Sequence, residues 1–157
     1  MKKKALLKIL AKFISLINMA SKAFIDTSAW IAYYLSDDRH HIKIKNLLKG
    51  LIVNKATICT SNDVIDETVT RLIYTTHSRF VKKFIAFISE SIKGGNLVQF
   101  WVDDQVQLEA FDLSVKFLEH KLSMTDCTTL VLLKRFSIDF LVSANFNFTK
   151  VGVNTLP

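Results

Sequence analysis

Cysteine, glycine and proline are scarce: two, four and one in a chain of 157 residues. Each shortage excludes something. Cys59 and Cys127 stand far apart and match no metal-ligand spacing, so neither a zinc site nor a disulfide framework is expected, and a reducing, cytoplasmic setting is. Both read as small core residues. The only adjacent glycines, Gly94 and Gly95, precede an apolar run and match neither the dinucleotide nor the phosphate-loop pattern, which removes the commonest nucleotide-binding functions. Long apolar runs are missing too. Half of the residues are hydrophobic and the mean hydropathy is +0.26, yet Lys, Asp, Asn or Ser interrupts each stretch before the roughly 18 residues that a membrane span needs. No internal repeat, low-complexity tract or linker is visible, and this length suits one domain with a sizeable core.

Acids are absent from one segment. The net charge is +7, but residues 1–22 hold six lysines (Lys2, Lys3, Lys4, Lys8, Lys12 and Lys22) and no acid, leaving fifteen basic against fourteen acidic residues elsewhere. The excess therefore belongs to an N-terminal extension, residues 1–21, and gives no ground for nucleic-acid binding by the body, residues 22–157. The extension reads as a basic amphipathic helix, with Leu6, Ile9, Leu10, Phe13, Ile14 and Ile17 recurring at three and four. It is too short and too charged to span a membrane, and Lys8 and Lys12 interrupt the apolar centre of a secretory signal. Three readings stay open: contact of residues 1–20 with a membrane surface, a packing helix, or a translation start at Met19.

What is present after the extension is an alternation. Strand-like runs at 22–26, 55–61, 96–102 and 138–144, with a further candidate at 151–156, are separated by helical patterns. The helices are expected over 28–35 with Thr27 or Ser28 as cap, from Asp37 to Asn54, from Asn62 behind a Ser61 cap, over 78–93 with a stop at Gly94, over 103–121 and over 123–136. Strands joined by helices without hairpin signals predict an α/β fold with a central parallel sheet of four or five strands, covered by helices on both faces. In such folds functional groups gather at the carboxyl ends of strands.

That rule selects three acids. Asp26 ends the first strand, Glu67 lies on the helix after the second, and Asp126 opens the late apolar helix. A buried carboxylate is costly unless something pairs with it. Each has a local explanation: Asp26 can cap a helix, Glu67 can pair with Arg71 four residues on, and Asp126, close behind Ser123, favours a helix N-terminus. Together, several converging oxygens favour a hard cation, Mg²⁺ or Mn²⁺. His40 and His41 tempt toward a metal site, but neighbours on a helix point apart. Trp30, Tyr33 and Tyr34 read as core or dimer contact.

"FIDTSAWIAYYLSDDRHH", "TSNDVIDETVTRL", "LSMTDCTTLVLLKR" and "NFNFTKVGVNTLP" follow one another in an order that resembles the PIN domain, specifically the VapC-type toxins of toxin–antitoxin pairs, from about Lys22 to Pro157. The resemblance implies a PIN-like three-layer fold and a metal-dependent endoribonuclease acting on RNA. In it Asp26, Asp126 and Glu67 are catalytic residues and ligands of Mg²⁺ or Mn²⁺, with Thr27 and Ser28 supporting the first. One position departs: Asn145 stands where the family commonly has an acid, and is expected as a fourth metal ligand that offers a carbonyl oxygen without charge. Arg39, Arg71 and Lys121 are candidate RNA-backbone contacts. The resemblance also implies a cognate antitoxin and a homodimer. An alternative from another class is a catalytically weakened PIN domain serving as a binding or scaffold module, with Asn145 as its marker.

Overall fold

The computed structural model describes residues 21–153, 155 and 156; the readings of the N-terminal extension lie outside them. Five short strands form one sheet: β1 (Lys22–Ile25), β2 (Thr57–Ser61), β3 (Val98–Phe100), β4 (Phe140–Val142) and β5 (Thr155–Leu156). The order across the sheet is β3-β2-β1-β4-β5, and every pairing is parallel. Seven helices flank it among the described residues: α1 (Thr27–Tyr34), α2 (His41–Val53), α3 (Asn62–Thr75), α4 (Ser78–Lys93), α5 (Asp104–Lys116), α6 (Met124–Arg135) and α7 (Asn147–Lys150). The α/β alternation and the parallel sheet expected from the sequence are both present.

The chain leaves β1 to one side for β2 and β3, then returns to the other side for β4 and β5. The switch falls between β1 and β4, where open α/β sheets form their crevices. Register fixes what stands there. Ile25 pairs with Val142 and Phe24 with Cys59, so the next residues, Asp26, Ser143 and, two past Cys59, Ser61, end three neighbouring strands at one edge.

Local signals explain most boundaries. Ser61 caps α3, its Oγ accepting from Val64 N at 3.2 Å. Gly95, at φ +71°, takes the left-handed turn after α4 that a side chain would strain. At α1 the local reading of Asp26 holds: extended at φ −82° and ψ 164°, it is the cap, and Thr27 and Ser28 are not. Two boundaries differ from expectation. The acids before α2 stay outside the helix: Asp38 Oδ1 accepts from His40 N at 2.7 Å and closes a turn, so α2 starts at His41. The helix expected through Lys121 ends at Lys116; a 3-10 turn, Leu118–His120, and a left-handed Lys121 then reverse the chain into α6.

The core lies on the sheet. Phe24, Ile25, Leu141 and Val142 from the strands meet Ile44, Leu51, Leu72, Phe84, Leu132 and Phe148, all fully buried. Burying each such side chain contributes about 1.5–3 kcal/mol. Trp30 packs edge-on against Phe84 and Phe87 and donates its ring N–H to Thr60 Oγ1 at 3.1 Å; it is a core residue, as is each cysteine.

Candidate active site

Burial changes character at the carboxyl edge of β1. Three apolar residues of the strand, Ala23, Phe24 and Ile25, are inaccessible, and the next residue, Asp26, is a carboxylate only 3 % exposed. Its Oδ2 is held by hydroxyls: Ser28 Oγ and Ser143 Oγ both donate at 2.8 Å, and Ser28 N adds a longer bond of 3.4 Å. Each hydroxyl is itself oriented by a backbone N–H, Ala144 N on Ser28 Oγ and Asn145 N on Ser143 Oγ, both at 2.9 Å. All of these donors are neutral. Burial raises the Asp26 pKa, the two serine hydrogen bonds oppose the rise, and the charge of Asp126 adds to it.

Asp126 is the second buried acid, 7 % exposed. It sits in the first turn of α6 in a reciprocal cap: Ser123 N donates to Asp126 Oδ2 at 2.8 Å, and Asp126 N donates to Ser123 Oγ at 3.1 Å. Asn145 Nδ2 faces both carboxylate oxygens at 3.4 Å. Here too burial is the main cause of a raised pKa, countered by Ser123 and increased by the charge of Glu67. Among the described residues neither Asp26 nor Asp126 has a salt-bridge partner.

Glu67 is held differently. On α3, one turn after Asp63, its Oε1 pairs with Arg71 at 2.6 Å and its Oε2 accepts from Thr27 Oγ1 at 3.3 Å. The local pair expected from the four-residue spacing is therefore formed.

Asp26, Glu67 and Asp126 line one open cavity of about 330 Å³. Thr27, Ser28, Arg71, Lys121 and Asn145 also reach it, together with Ser123 and Asn147. Arg39 does not line it: it is exposed before α2, its Nε donating to His40 Nε2 at 2.9 Å. His41 is turned away as well, its Nδ1 2.9 Å from Ala32 O.

The donor chemistry suits a hard divalent cation: two buried carboxylates without a basic partner face one polar cavity, and a third carboxylate shares it. The acids are not drawn into a closed cluster. Among the described residues no three His, Cys, Asp or Glu side chains are grouped to hold a metal ion. Glu67 is engaged with Arg71, and Asn145 presents an amide N–H to Asp126.

Ser143, Ser123, Asn147 and Asp63 are absent from the residues selected from sequence. Ser123 was legible as part of an S-x-x-D cap ahead of an apolar helix. Ser143 carries only a weak signal, a small hydroxyl after an apolar strand. Asp63 is half-buried, accepts from Thr128 Oγ1 at 3.1 Å and so ties α3 to α6; burial raises its pKa, with Thr128 opposing and Asp66 and Glu67 adding.

A five-stranded parallel sheet with an acidic cleft at its switch point defines an α/β fold whose crevice lies where ligands of such sheets bind. The family model of the PIN domain matches residues 23–154, and the chain belongs to that family. Its fold is similar to the crystal structure of Mycobacterium tuberculosis VapC20, a sarcin-ricin loop cleaving toxin, with a TM-score of 0.73 and 22 % identity over 85 % of this chain and 97 % of that one. A comparison with curated proteins returns no significant match. Among the described residues no helix is long and apolar enough to cross a membrane.

Proposed function

We propose that this chain is a metal-dependent endoribonuclease, the toxin of a toxin–antitoxin pair, with residues 22–157 as the nuclease unit. The observation that carries this reading is the pair Asp26 and Asp126, buried at the carboxyl edge of the sheet, lining one open cavity and paired with no basic side chain. Membership of the PIN family and the likeness to VapC20, a sarcin-ricin loop cleaving toxin, support it. PIN-domain nucleases are in general dependent on divalent cations.

Asp26 and Asp126 are the residues that would hold Mg²⁺ or Mn²⁺, with Glu67 as the outer acid. Such an ion would supply positive charge against the phosphate and would lower the pKa of a bound water. The chain's own residues do the rest. Ser28 and Ser143 both donate to Asp26 Oδ2 and fix the carboxylate. Ser123 fixes Asp126 in the same way. Thr27 and Arg71 fix Glu67, which would position the attacking water; in-line attack would break the P–O3′ bond and leave a 3′-hydroxyl and a 5′-phosphate. Arg71, about half exposed, and Lys121 supply positive charge on the cavity wall for the RNA backbone.

A cognate antitoxin covering the acidic cleft, a homodimer and a cytoplasmic location belong to the same proposal. One observation favours the second reading, a scaffold module: the fourth position is the neutral Asn145, held as a donor to Asp126. Incubating the protein with structured RNA and Mn²⁺, beside Asp26→Asn and Asp126→Asn, separates the two. Cleavage by the wild type alone is expected; equal rates in all three proteins would leave the scaffold.

A further inference from the structure

The orientation of one amide bears on how many cations the cleft can take. Asn147 N lies 3.0 Å from one terminal atom of the Asn145 side chain. A backbone N–H can only donate, so that atom is the carbonyl Oδ1, and the two ends of the amide are thereby told apart. The other end, Nδ2, then faces Asp126 Oδ1 and Oδ2, each at 3.4 Å. The backbone of Asn145 is pinned as well, donating to Ser143 Oγ, which in turn donates to Asp26. The segment is thus wired to both buried acids, with its side-chain oxygen turned to Asn147 and its side-chain N–H turned toward Asp126.

We infer that Asn145 is a positioning residue for Asp126 and not a cation ligand, and that the cleft binds one divalent cation and not two. This deepens the nuclease reading and rests on it for the class of ion. Charge argues the same way as geometry. Glu67 is already paired with Arg71, so Asp26 and Asp126 are the carboxylates left to offset an incoming charge. One divalent ion matches them. A second would add two positive charges against no further unpaired acid, and beside Asp126 it would meet an amide N–H. The family's acid at this position would supply both the missing charge and the missing oxygen.

The test is Mn²⁺ binding to the full chain without RNA, with stoichiometry from the electron paramagnetic resonance of free Mn²⁺ and affinity from calorimetry. Wild type is expected to bind one ion. Asn145→Asp is expected to gain a second. Asn145→Ala is expected to keep one, held about 10–100-fold more weakly, the usual cost of losing a residue that orients a ligand. Two ions or none in wild type, a single ion in a folded Asn145→Asp, two ions in Asn145→Ala, or an unchanged affinity in Asn145→Ala would each overturn the inference. Should Asn145→Asp fail to fold, wild type and Asn145→Ala still decide. A wild type that binds one ion but cleaves no RNA would sink the nuclease reading and leave this inference standing.

Discussion

The two sides of the cleft hold their acids by different means. On the β1–β4 side, Asp26 is buried and held by neutral serine hydroxyls. On the α3 side, Glu67 is partly exposed and answered by a guanidinium at 2.6 Å. A carboxylate with a basic partner at the surface is close to electrically content, and such a pair contributes little, about 0.3–0.5 kcal/mol at this helical spacing. A carboxylate buried among hydroxyls is oriented but not neutralised, so its desolvation cost persists until a cation or a proton arrives. Asp126, held by a backbone N–H and an amide, is likewise oriented and not neutralised. The contrast assigns the charge defect to Asp26 and Asp126 and a supporting place to Glu67.

Substitutions test that contrast from its strong side to its weak one. Asp26→Asn is expected to have the largest effect: RNA cleavage falls by more than the about 10–100-fold that residues merely supporting a metal ligand cost. Its melting temperature without divalent ions is expected to rise, because the amide avoids the cost of a buried charge. A lowered melting temperature with cleavage retained would reverse the roles of the two sides. Ser143→Ala follows, since it removes one of the two hydroxyls on Asp26 Oδ2. Calorimetry is expected to record Mn²⁺ affinity reduced about 10–100-fold with the fold intact, and an unchanged affinity would mean that Ser28 alone suffices.

Glu67→Gln should be milder on every count. Cleavage drops less than in Asp26→Asn, Mn²⁺ stoichiometry stays the same, and urea unfolding shifts by less than about 0.5 kcal/mol. Equal losses in the two variants would erase the distinction between the sides. The smallest effect concerns Asp63, whose pKa burial raises from the ordinary 3.8. Its contribution to stability is full below that ordinary value and is lost as pH rises through the raised one, because the unfolded chain gives up the proton first. Asp63→Asn should therefore melt with wild type at low pH and slightly above it near neutrality, where Thr128 can still donate to the amide oxygen. A gap that widens toward acid would contradict the burial argument.

Legibility follows distance along the chain. The Ser61 cap, the stop at Gly94 and Gly95, the cap that joins Ser123 to Asp126 and the pair that joins Glu67 to Arg71 each span at most four residues, and the sequence carries them. The same locality misplaced the start of α2: acids followed by an apolar period read as a helix start, whereas Asp38 closes a turn with His40. Arg39, a candidate RNA-backbone contact, stands exposed in the turn before α2 and does not line the cavity.

By itself, then, the sequence determined the alternation of strands and helices, the parallel sheet it entails, and the residue types at strand tips, because periodicity and capping act over a few residues. Only the tertiary structure decided which tips are neighbours. Ser143 donates to Asp26 across 117 residues of chain, and Asn145 faces Asp126 across 19. Those contacts exist because β4 pairs with β1 and brings its end beside α6, a choice made by packing the whole core. That pairing turned Asp26 from a residue capping its own helix into one wall of an acidic cleft, and it set the amide of Asn145 against the other.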